Sequence, residues 1–211
     1  MLTLDHLTVI APTLNEGVEH VRNRLGLDVP FGNRHTYMGT HNHRLRLGGN
    51  VYLEIVARDP EGVDPGRARW FGVDQPDQVH RDWNQMRRLR GWVAATASIE
   101  TDVARHPEFG DVVPLPFDRP EFAFSIPQDG TLPKDGLLPS LIDHRDGPTD
   151  LSEIPDFGAR LVSFHLMHPK PDAIEALYQD LPIDHPPQIS HGPAFRYEAV
   201  IDTPHGTRKL W

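Results

Sequence analysis

Between Leu2 and Ala11 the chain alternates: Leu2, Leu4, His6, Thr8 and Ile10 fall on one face of a strand, and Leu7, Val9 and Ala11 on the other. The strand reads as buried, yet Asp5 and His6 stand at its entrance. The period then changes. Thr13 and Glu16 form a Thr-x-x-Glu capping box, Leu14, Val18, Val21 and Leu25 recur at helical spacing, and Gly26 supplies a stop. Past Pro30 and Gly32, "HRLRL" and "VYLEIVA" flank "GGN", which predicts a hairpin. In its second strand Val51, Leu53 and Ile55 share one face, and Tyr52, Glu54 and Val56 share the other.

The order strand, helix, strands recurs twice. A Pro/Gly/Asp-rich stretch from Asp59 to Pro76 reads as a loop, and Gln78 to Leu89 as a helix with Val79, Trp83 and Met86 on one side. "GWVAATASI" then predicts a strand, "ETDVARHPEF" a short helix, and the segment from Pro120 to His144 two strands around a loop. Near the end, "RLVSFHLMHP" reads as a strand. "PDAIEALYQDL" follows as a helix with Ile174, Leu177 and Leu181 aligned, and a hairpin turns between Thr203 and Thr207. The repeat lies in element order, with little identity between copies. It predicts an α+β architecture in which curved antiparallel sheets carry helices on one face and leave the other free for a ligand. A doubly wound α/β sheet fits poorly, because strand pairs here meet through short turns. The expected divisions are a first module over 1–58, a linker loop and helix over 59–90, a second module over 91–145 and a C-terminal unit over 160–211, all in one compact domain.

Composition narrows the chemistry. The 211 residues contain no cysteine, which removes thiol catalysis, thiolate metal sites and disulfides. A net charge of −9 gives no basic footprint for nucleic acid or an anionic membrane surface. The one basic cluster, Arg87 to Arg90, ends a predicted helix, where it complements the helix dipole. No stretch has the length of an apolar membrane span, and the N-terminus lacks the pattern of a signal peptide, so a cytoplasmic location is expected. No nucleophile elbow, Walker loop, dinucleotide fingerprint or zinc motif is present.

The sharpest candidates are His6 and Glu54. A carboxylate inside "VYLEIVA" must be paired, hydrogen-bonded, metal-bound or protonated, since a bare buried charge costs too much. The pair reads either as two ligands of a divalent metal or as a structural hydrogen-bonded couple. On "THNHR", one of two sets faces any pocket: Thr40, Asn42 and Arg44, or His41 and His43. Arg44 or Arg46 is suited to a substrate carboxylate by its forked geometry. Trp70, Phe71 and Trp83 are candidates to roof a pocket. His165 and His168 lie on opposite strand faces and so do not share a metal.

"LDHLTVIAPTLNEGVEHVRNRLGL", followed by "MGTHNHRLRLGGNVYLEIVA", resembles the first module of glyoxalase-like proteins of the vicinal oxygen chelate superfamily, which includes glyoxalases, bleomycin-resistance proteins and dioxygenases. "GLLPSLIDH" and "VIDTPHGTRKL" are similar to the distal parts of one bacterial glyoxalase-like family. The resemblance implies paired βαβββ modules forming an incomplete, strongly curved barrel, here with an extra C-terminal βαββ unit. It also implies a divalent metal ion held by His6 and Glu54, with Glu54 moving a proton as the catalytic carboxylate. The second module departs from the family pattern. Small or apolar residues stand near Trp92 and Ala94 where a histidine is expected, and Ser140 stands near the glutamate position. His144 is its best available ligand, giving an expected metal set of His6, Glu54 and His144. Two functions follow: a metal-dependent lyase, isomerase or dioxygenase acting on a small molecule, or a metal-free protein that sequesters a small molecule such as a drug. Modules can pair within one chain or across a homodimer.

Overall fold

The computed structural model describes residues 1–145 and 151–211. β1 (Leu2–Ile10) leads into α1 (Leu14–Leu25), whose start is fixed by Thr13, which accepts the Glu16 N–H, and whose end is fixed by Gly26 in the left-handed conformation. β2 (Phe31–His35), β3 (Thr40–Arg46) and β4 (Tyr52–Arg58) complete a βαβββ module. A loop with a 3-10 turn at Trp70–Gly72 and a helix, α2 (Pro76–Asn84), joins it to a second set. That set comprises β5 (Leu89–Ala95), α3 (Ile99–Arg105), β6 (Asp111–Leu115), β7 (Phe122–Ile126) and β8 (Ser140–Asp143).

All eight strands share one sheet, in the order β2-β3-β4-β1-β5-β8-β7-β6. The order is a palindrome of the two modules about the β1/β5 contact, and the sheet curls into a half-barrel. Residue parity divides its faces. Leu7, Val9, Leu53, Ile55, Trp92 and Leu141 join the larger apolar cluster, which includes the buried side of α1. Ile10, Val56, Val93, Phe124 and Ile142 join a second cluster on the concave face, closed over by Trp70 and Phe71.

The C-terminal unit consists of β9 (Arg160–His168), α4 (Pro171–Gln179), two short strands, β10 (Ile183–Asp184) and β11 (Gln188–His191), and the hairpin β12 (Arg196–Thr203) and β13 (Gly206–Leu210). Except for β10, which pairs with β1, its strands form a separate sheet in the order β11-β9-β12-β13. That sheet packs its Phe164 and Tyr197 rings toward Trp92, on the convex side of the half-barrel, leaving the concave side open. No helix among the described residues is long and apolar enough to cross a membrane.

Two expectations shift. The linker helix stops at Asn84, because Met86 takes a left-handed backbone, and Leu89 already belongs to β5. β6 escapes the pattern because Pro114 interrupts it. At the sheet edge the missing N–H costs no ladder bond, and the strand forms.

Candidate functional site

A cavity of about 220 Å³ opens on the concave face of the half-barrel. One wall is polar, from β1, β3 and β4. The other is aromatic, from Trp70, Phe71, Phe122 and Phe124.

β1 brings His6 to the polar wall. β1 and β4 run parallel, so His6 lies beside Tyr52 and Thr8 beside Glu54. The imidazole stacks on the Tyr52 ring, with centroids 4.5 Å apart. Against β5 the register slips between Leu4 and His6, leaving Asp5 as the extra residue of a β-bulge. The bulge turns Asp5 inward beside His6, where strict alternation would have put it on the opposite face. Its Oδ1 accepts from His6 Nδ1 at 2.6 Å, and its Oδ2 accepts from His144 Nε2 at 2.8 Å. His6 Nε2 then faces Glu54 Oε2 at 3.5 Å.

Glu54 is held from the other side. Asn42 Nδ2 donates to Glu54 Oε1 at 2.6 Å, while Asn42 Oδ1 accepts the Asn33 N–H at 2.7 Å, which fixes the orientation of the amide. Behind it, His35 Nδ1 and Trp70 Nε1 both lie within hydrogen-bond reach of Thr40 Oγ1, at 3.0 and 3.1 Å. That bond seats the indole over the cavity.

The charges follow from these contacts. Burial would lower the pKa of His6, but its bonds to Asp5 and Glu54 and their charges outweigh burial and push it up to about 9. Burial would raise Glu54, but the bond and charge of His6, the His35 ring and the Asn42 amide hold it below the usual carboxylate value. His35, by contrast, is pulled down mainly by burial. Without a cation in the cavity, the two carboxylates thus favour the protonated ring of His6.

Of the residues singled out in the sequence, His6 and Glu54 meet in the cavity. Asn42 and Arg44 line it, and Thr40 stands one layer behind, against His35 and Trp70. The opposite set on β3 turns away: His43 Nδ1 reaches the Val29 carbonyl at 2.7 Å, and His41 faces Asp59. Trp70 and Phe71 do roof the cavity, whereas Trp83 packs against His20 and Arg88 outside it. Arg46 does not line it.

The expected metal set of His6, Glu54 and His144 does not assemble. His144 reaches the cavity rim but directs Nε2 at Asp5, and among the described residues no group of three or more His, Cys, Asp or Glu side chains is arranged to hold a metal ion. The second module offers nothing in its place. Opposite His6 on β5 stands Val93, and Ile142 lies on β8 two residues past Val93's partner Ser140, as Glu54 lies on β4 two past Tyr52. What remains is a two-donor site. Two atoms bound to one divalent ion at about 2.0–2.2 Å each stand roughly 3 to 3.5 Å apart. His6 Nε2 and Glu54 Oε2 meet that spacing, with Asp5 behind the imidazole as a metal-bound histidine requires.

Asp5, His35 and Tyr37 also belong to the site, and sequence patterning gave them no role. The signal available for Asp5 was the Asp-His pair at the mouth of a buried strand.

Among solved structures, a hypothetical protein from Staphylococcus aureus is 12% identical and superposes with a TM-score of 0.62, covering 96% of this chain and 92% of that one. A variant of Streptomyces coelicolor methylmalonyl-CoA epimerase in complex with 2-nitronate-propionyl-CoA is 18% identical, with a TM-score of 0.43, covering 71% of this chain and 99% of that one. No curated protein matches the chain. The glyoxalase-like domain family matches residues 4–181, which takes in both modules and the whole cavity. With its palindromic half-barrel and a family match over most of its length, the chain belongs to the glyoxalase-like domain family.

Proposed function

We propose that this protein is a glyoxalase-like small-molecule enzyme in which His6 and Glu54 are the reacting pair and together hold a divalent cation. Water and two neighbouring oxygens of the substrate would complete its coordination. The observation that carries this reading is the convergence of His6 Nε2 and Glu54 Oε2 at 3.5 Å, too long for a strong hydrogen bond and suited to two ligands of one ion. When bound, such a cation supplies Lewis-acid stabilisation of negative charge developing on the substrate oxygens. Asp5 fixes the ring orientation of His6. Glu54 is ionised and tethered through Oε1 by Asn42, so Oε2 is the atom that would serve as ligand and, when released from that role, accept a proton from a bound substrate. The aromatic wall displaces water from that exchange.

The test is elemental analysis of protein purified without a histidine tag. About one divalent metal per chain is expected, falling to background in His6→Ala and Glu54→Ala. Folded wild type that stays metal-free would end this reading. A second reading then takes over: a metal-free protein that binds or sequesters a small molecule in the same cavity. Val93 and Ile142 at the second-module positions, and the engagement of His144 by Asp5, favour it.

A further inference from the structure

Arg44 sits directly opposite Glu54 in the β3/β4 ladder, on the face that lines the cavity. Opposite charges in that relation ordinarily pair, since their Cβ atoms are about 5 Å apart. Here they do not. The Glu54 carboxylate is engaged by Asn42 and His6, and the Arg44 side chain makes no ion pair or hydrogen bond with any described residue. Its Nε is buried without a partner. Arg69 is paired with Asp74, Arg90 with Asp82 and Arg34 with Asp59; Arg46 and Arg67 also bury an Nε without a partner, but of the arginines only Arg44 lines the cavity. Gly32 on β2 makes the placement possible, because a Cβ there would lie 2.9 Å from Arg44 Nε and 2.3 Å from Asn42 Oδ1. The stem of Arg44 is packed against the neighbouring strand while its charge lacks a protein partner.

We propose that Arg44 receives the carboxylate of the substrate. The substrate class is then a small 2-oxo or 2-hydroxy carboxylic acid with an aromatic or branched apolar side chain. A planar fork of N–H donors matches a carboxylate bidentately, and a partly buried guanidinium without a partner gains most from such a ligand. On the function proposed above, on which this placement rests, the 2-oxygen and the nearer carboxylate oxygen are the two neighbouring oxygens that face His6 and Glu54, one strand away. The side chain lies against Trp70, Phe122 and Phe124. A cavity of about 220 Å³ is smaller than the roughly 300–1,000 Å³ of drug-sized pockets and selects a compact acid.

Calorimetric titration at pH 7 with benzoylformate and with its uncharged methyl ester tests the assignment. Wild type should bind the acid about ten-fold or more tighter than the ester, the scale of a charge-assisted bidentate contact. Arg44→Gln should abolish that preference by weakening the acid far more than the ester, and Arg44→Lys should restore part of it. Equal affinity of wild type for acid and ester, binding of neither, a preference that persists in Arg44→Gln, or an equal loss for both ligands in that variant would each overturn the proposal. The wild-type comparison stands even if Arg44→Gln fails to fold. A blank metal assay with the acid preference intact would remove the metal reading alone. A loaded metal site without that preference would remove the acid assignment alone.

Discussion

His6 lies between two buried carboxylates, and its charge is what makes their proximity tolerable. Removing it leaves Asp5 and Glu54, each almost fully buried, without the cation that both face. Breaking a buried ion pair from one side costs about 3–5 kcal/mol, and His6→Ala should lose stability on that scale at pH 7, measured by urea denaturation with chelator present. The pH dependence has a definite sign. The folded pKa of His6 is raised from 6.5 to about 9, so its contribution is complete below pH 6.5 and is lost as pH rises through 9. With chelator present, wild type should weaken across that window, and His6→Gln should not. A flat wild-type profile between pH 6.5 and 9 would show that the imidazole is neutral in the fold. At this scale the sequence was partly legible. Period-two alternation groups Asn42 with Arg44 on one face of β3 but leaves open whether that face or the one of His41 and His43 meets a pocket; pairing with β4 puts the first set beside Glu54 and His6. Alternation sends Asp5 to the opposite face, and only a bulge, a pairing irregularity between distant strands, brings it back. His35 and Tyr37 lie on and just after β2, a five-residue edge strand whose pairing with β3 shifts register, so no local period pointed to them.

At the level of elements, α1 and β4 set how closely the helix approaches the sheet. Gly17 is buried within α1, where glycine ordinarily weakens a helix by roughly 0.5–1 kcal/mol relative to alanine. A Cβ at Gly17 would fall 2.5 Å from Ile55 Cγ2 and 2.9 Å from Ala11 Cβ. Neither neighbour can swing aside, since one is a β-branched side chain in the core and the other has no rotamer to change. The contact outweighs propensity. Gly17→Ala should destabilise by about 1–3 kcal/mol, read from the denaturation midpoint, where an exposed helical glycine would show a gain. A neutral or stabilising effect would mean that α1 can lift off β4. The helix itself was legible from its capping box and apolar spacing, as was the hairpin at "GGN", because those signals are local. The end of α2 and the existence of β6 were not. The first depends on a left-handed Met86, and the second on pairing with β7 that the sequence around Pro114 does not announce.

On the scale of the whole molecule, His20 shows how the parts are fastened behind the sheet. It projects from α1, and its Nδ1 accepts from Arg88 Nη1 at 2.9 Å just before β5. Its Nε2 donates to the Trp211 backbone oxygen at 3.0 Å, beyond β13, and its ring meets the Trp83 indole edge-on. First module, linker and C-terminal unit therefore meet at one imidazole. An arginine only donates, so this arrangement requires a neutral ring with its proton on Nε2. Burial, with the charges of Arg88 and Arg24 acting against the bond to Trp211, lowers the pKa from 6.5 to about 4. The unfolded chain thus binds more protons than the folded one between those values. The stabilising contribution is complete above pH 6.5 and is lost as pH falls through 4, with a slope of at most about 1.4 kcal/mol per pH unit. His20→Gln preserves a donor and an acceptor but does not titrate. Its stability should match wild type to within about 1–2 kcal/mol at pH 7 and then decline less steeply between pH 6.5 and 4. Parallel acid limbs in the two proteins would show that His20 does not couple protonation to the packing of the C-terminal sheet.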